Sequence, residues 1–126
     1  MTDLHGTVTH ATLLAAGARS ATANGSAVEV RDYHGRAFAT LDSGAGSGTT
    51  PTLNVKLQGS ADNSTWSDIS GASFSEVTTS ASFQKIGVVL HEAPRYVRAR
   101  AVIGGDTPNF TFSVHLYGTK DNLVGN

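Results

Sequence analysis

The sequence predicts an all-β protein, an antiparallel β-sandwich of about seven to eight strands. Three observations point there. Branched and aromatic residues recur at every second position in several short segments, the period of a half-buried strand. Gly, Ser, Thr and Asn punctuate those segments as turn formers. Charged residues make up only 15% of the chain and hydrophobic ones 39%, a balance that suits short strands better than long amphipathic helices. The topology is open between a jelly roll and an immunoglobulin-like Greek key. A length of 126 residues fits one domain.

In residues 1–12, isolated Leu4 and Val8 lie among Thr2, Asp3, His5, Gly6, Thr7, Thr9 and His10. That is too little apolar surface to fold alone but enough to dock in a groove, so the segment reads as an N-terminal arm or a first strand of its own sandwich. Residues 13–126 form the domain. Within 11–18, Thr12 and Gly17 oppose a helix and favour extended chain. Asn24-Gly25 is a two-residue turn signal. Val28 and Val30 alternate with Glu29 and Arg31, and His34-Gly35 reads as a turn into a strand at 36–41, giving a hairpin. The Gly- and Ser-rich run 43–50 reads as a flexible exposed loop.

The second half alternates more clearly. Leu53, Val55 and Leu57 share one face of a strand at 52–58, and Ile86, Val88 and Leu90 share a face at 84–90. Pro94 suits the entry to a strand at 95–103, where Val97, Ala99, Ala101 and Ile103 align. Residues 104–109 read as a turn into 110–117, with Phe110, Phe112, Val114 and Leu116 on one side. The expected core includes Trp66, Val97, Phe110, Phe112 and Val114, with Trp66 closing one end.

Composition excludes several functions. A net charge of −1 offers no field for nucleic acid or an anionic membrane, and no stretch is apolar enough to span a bilayer as a helix. The start, Met1 to His5, lacks the basic and apolar pattern of a secretory signal, so cytosolic synthesis is expected. With no cysteine, and with His5, His10, His34, His91 and His115 scattered, neither a thiolate nor a zinc cluster is legible. No cofactor site and no enzymatic nucleophile is expected. Residues 62–68 cluster oxygen-bearing side chains but lack the glycine and terminal glutamate of a calcium loop, and read as a tight turn built on Asp62 and Asn63. Tyr96, Arg98 and Arg100 lie opposite Val97, Ala99 and Ala101 as an aromatic and basic stripe, which is either a solvated face or a docking surface. With Leu4 and Val8 they are the candidate partner-binding residues.

The run 57–74, LQGSADNSTWSDISGASF, together with Arg95-Tyr96-Val97-Arg98-Ala99 and the strand at 110–118, resembles small tailed-phage virion proteins of the capsid cement or decoration type. The resemblance covers the chain from Thr52 onward. It implies a sandwich or jelly roll on the capsid exterior of the virion, bound to the major capsid protein as a small homo-oligomer, dimer or trimer, that stabilises the shell. The family supplies no catalytic residues. The competing reading is a carbohydrate- or receptor-binding module of a tail or fibre, for which Trp66, Tyr33 and Tyr96 would line a shallow groove.

Overall fold

A computed structural model describes residues 7–30, 33–89 and 95–120. Eight strands form among the described residues: β1 (Thr7–Arg19), β2 (Ala23–Asn24), β3 (Val28–Glu29), β4 (Tyr33–Ser43), β5 (Ser47–Ser60), β6 (Ser67–Ser73), β7 (Ser82–Val89) and β8 (Tyr96–Lys120). Every pairing is antiparallel. The all-β class and the strand number expected from the sequence are therefore what the chain adopts.

The organising element is β8, whose 25 residues pair with five other strands. Its first half lies between β5 on one side and the short β2 and β3 on the other. Its second half lies between β1 and β4. Outside these, β6 pairs β5 and β7 pairs β4, giving the neighbour order β6-β5-β8-β4-β7. Alternation then decides what is buried. Val97, Ala99 and Ala101 from the first half and Phe110, Phe112, Val114 and Leu116 from the second join one core with Leu41, Leu53, Val55 and Leu57.

The ends of this sheet come close together. The Ser75 N–H donates to Gln84 Oε1 at 2.8 Å, and Gln84 Nε2 donates to the Ser75 carbonyl at 2.9 Å, so one side-chain amide reproduces a strand-like pair between β7 and the chain after β6. Val77 also exchanges both backbone hydrogen bonds with Leu53. The sheet is thus wrapped into a nearly closed, barrel-like form, which removes open edges where these segments meet.

Four local expectations change. Residues 104–109 do not end a strand, and residues 47–50 are not a loop. They pair with each other across the bend of β8, where Gly48 (φ 105°) and Thr50 (φ 47°) face Gly105 (φ 110°) and Thr107 (φ 48°). A Cβ at Gly48 would stand 2.4 Å from the Thr107 carbonyl oxygen, and one at Gly105 would stand 2.5 Å from that of Thr50. Positive φ on both strands makes a double bulge through which the ladder turns without breaking. Residues 44–46 are also tied down, by Gly44 N–H to the Thr111 carbonyl at 2.9 Å and Gly46 N–H to the Thr78 carbonyl at 2.8 Å.

Asn24-Gly25 is not a hairpin turn. Asn24 belongs to β2, and Gly25 is required because a Cβ there would lie 1.8 Å from the Leu13 carbonyl oxygen. The hairpin expected at 28–41 is also replaced: β3 pairs the first half of β8 and β4 the second, and His34-Gly35 falls at an irregularity within β4. Of the segment read as an arm or a first strand, residues 7–12 lie in β1, paired in register from Thr7 opposite Lys120 to Thr12 opposite His115. A register shift beyond Thr12 turns both Leu13 and Leu14 inward, which is why strict alternation fails there. Residues 1–6 lie outside the described residues.

Candidate functional site

The outer face of β5, β6 and the first half of β8 carries the Tyr96, Arg98 and Arg100 stripe. Arg98 Nε donates to Gln58 Oε1 at 3.0 Å, and Gln58 Nε2 donates in turn to Asp68 Oδ1 at 3.0 Å. Lys56 Nζ reaches Asp68 Oδ2 at 2.9 Å, and Arg100 Nη1 donates to Asn24 Oδ1 at 3.0 Å. The Gln58 amide, and after it Lys56, hold the Asp68 carboxyl below its usual range. Tyr96 lies beneath the Arg95 guanidinium, which pairs with Glu29. The polar groups of this face are engaged with one another. Val8 contributes its backbone to β1 opposite Thr119, whereas Leu4 and the side chains of Val8 and Tyr33 lie outside the described residues.

Trp66 departs from its expected place in the core. It is half-buried on this outer face, with the Arg98 guanidinium 4.3 Å from its ring centroid. The physical reason is the chain's parity. Ser60 and Asp62 close the preceding turn, with Asp62 Oδ1 accepting from the N–H groups of Ser64 (3.0 Å) and Thr65 (2.9 Å) and from the Ser60 hydroxyl (2.9 Å). This delivers Trp66 to the side of β8 that carries Arg98, where a cation can cover the ring while remaining wet. The tight-turn reading of 62–68 therefore holds. The turn's backbone donors, Thr65 first, lower the Asp62 pKa.

The second outer face, made by β1, the second half of β8, β4 and β7, is of a different kind. Strand register sets its side chains in rungs. His10, Tyr117, Phe38 and Gly87 are aligned across the four strands, then Thr12, His115, Thr40 and Lys85, then Ser113, Asp42 and Phe83. The Phe38 and Tyr117 rings stack at 5.0 Å with 13° between planes, and His10 stacks on the other side of Tyr117 at 5.5 Å. Lys85 Nζ lies 5.2 Å from the Phe38 centroid. Phe83 is 67% exposed and Phe38 37%. Together with Thr40, Asp42, Ser113 and His115 they line an open depression of about 460 Å³.

No protein-family model and no curated protein matches this chain. Among solved structures, it is similar to the PBSX exported protein XepA, with a TM-score of 0.62 at 14% identity over 89% of this chain. It spans 37% of XepA's length. It is also similar to the SPBc2 prophage-derived protein YomS, with a TM-score of 0.53 at 13% identity over 94% of this chain and 99% of that one. A third match is to the Bacillus endospore appendages described as disulfide-linked pili, with a TM-score of 0.51 at 11% identity over 91% and 89% of the two chains. What is shared is the fold.

Sequence reasoning found the stripe and missed the aromatic face. The signal was present in the outward parity of three strands, Phe38-Thr40-Asp42, Phe83-Lys85 and Ser113-His115-Tyr117, where aromatic residues occupy positions that a solvated face fills with polar ones. What alternation could not supply is that these strands are neighbours.

Proposed function

We propose that this chain is a phage-derived structural protein of the virion that works through surface contact and not through catalysis. In its finer form, the proposal is that it decorates the outer capsid surface and bridges copies of the major capsid protein as a small homo-oligomer. The observation that carries the reading is the end-to-end correspondence of its fold with prophage-derived YomS, supported by XepA. The endospore appendage match adds that this fold also serves in a large protein assembly. Because this chain has no cysteine, its own assembly would rest on noncovalent contacts. A stiff body whose core is continuous across both halves of β8 suits a bridging role, since several modest contacts to neighbouring subunits add up to tight attachment.

The test is quantitative mass spectrometry of gradient-purified particles from a producing strain. The chain should be recovered at a fixed, many-copy ratio to the major capsid protein, and particles lacking it should release DNA at a lower temperature. Recovery only in the soluble lysate overturns virion membership. Recovery with tails and not with filled heads overturns capsid decoration, and a strict monomer both in solution and on the particle overturns the oligomer.

A further inference from the structure

We infer that the outer face of β1, β8, β4 and β7 is a binding site for a neutral oligosaccharide. The inference does not rest on placement in a virion. Two observations carry it together. First, two of the three large apolar side chains left exposed among the described residues, Phe38 and Phe83, lie on this one face, with Tyr117 and His10 extending the ring surface beyond Phe38. Second, polar side chains between the rings are unspent: Asp42, which is exposed, and Ser113, which is half-buried, have no hydrogen-bond partner for their side chains among the described residues, and Thr40, 7% exposed, lies between them and Phe38 at the floor of the depression. The opposite outer face is the contrast within the same molecule, because there Lys56, Gln58, Asp68 and Arg98 bond one another and Arg100 bonds Asn24.

A pyranose ring has the complementary chemistry. Its C–H face packs on an aromatic ring, and its rim of hydroxyls both donates and accepts. Asp42 can accept, Lys85 can donate, and the Ser113 and Tyr117 hydroxyls can do both. One carboxylate and one ammonium leave the face without strong net charge, which suits a neutral ligand over an anionic one. Phe38 and Asp42 are four residues apart on β4, and Phe83 is opposite Asp42, so the two exposed rings are separated by roughly 13 Å along the strands. That spacing calls for a chain of sugars with an aromatic contact toward each end. Gly87, opposite Phe38, keeps the near end open: a Cβ there would meet nothing within 4 Å.

Titration calorimetry of the full chain against neutral gluco-, galacto- and N-acetylglucosamine oligomers, with proline-rich peptides as a second arm, tests this. At least one oligomer should bind saturably. Phe83→Ala and Asp42→Ala should each weaken it by about tenfold or more, and Gly87→Leu, which adds bulk beside Phe38 without entering the core, should block it, all three with near-parental melting. Absence of saturable binding to every oligomer overturns the proposal. So does binding that survives both Phe83→Ala and Asp42→Ala, or binding confined to the peptides.

Discussion

Phe112 and Phe83 show how much one residue's parity matters. Phe112 points inward from β8 and is 2% exposed, whereas Phe83 points outward from β7 and is largely in water. Phe112→Ala leaves a cavity among Leu- and Val-rich neighbours that cannot fully collapse, so it should cost about 3 to 5 kcal/mol. Phe83→Ala removes no buried contact and should stay within about 0.5 kcal/mol. Urea denaturation of the two variants checks the pair, and equal losses would contradict the facing assigned to these strands. Asp62 is the residue where pH enters. Its turn lowers its pKa below the ordinary 3.8, so the folded state takes up a proton less readily than the unfolded chain. The resulting stabilisation is complete above that ordinary value and disappears as pH falls through it toward the lower folded value. Melting curves of the parent and of Asp62→Ala should therefore converge in acid and separate toward neutrality.

At the scale of an element, the bend in β8 is the decisive feature. A 25-residue strand would run straight past one sheet if nothing turned it. The facing pairs Gly48 with Thr107 and Thr50 with Gly105 turn it while keeping the β5 ladder on both sides. Gly105→Ala puts a side chain at φ 110° and against the Thr50 carbonyl, and should destabilise by about 1 to 3 kcal/mol. Gly87→Ala, in an open strand position, is the control and should be neutral or slightly stabilising. If the two alanine variants melt alike, the double bulge is not what sets the bend.

For the whole molecule, the pairing map is strongly non-local. Thr7 opposes Lys120, Arg19 opposes Phe110 and Tyr33 also opposes Lys120, so the last strand must be present before the first can be placed. Such topologies fold slowly because loop closure is costly before contacts repay it, and refolding should take roughly milliseconds to seconds. Stopped-flow Trp66 fluorescence would follow it, with completion within microseconds contradicting the topology. Truncation before Phe110 should abolish folding outright, since it deprives β1 and β4 of their shared partner.

The all-β class, the inward set Val97, Phe110, Phe112 and Val114, and the tight turn at Asp62 were determined by sequence alone. Each depends on the two-residue period or on a side chain bonding its own backbone, and both are local. The joining of two expected strands into β8 was not legible, because turn-forming residues at 104–109 look the same whether they end a strand or bulge it. Trp66 was misplaced for a related reason: a large aromatic residue suits either a core or a cation's cover, and only the position of Arg98 chose between them. The aromatic face was decided last of all. Phe38, Phe83 and Tyr117 are far apart in the chain, and register between strands, a property of the assembled sheet, is what makes them one surface.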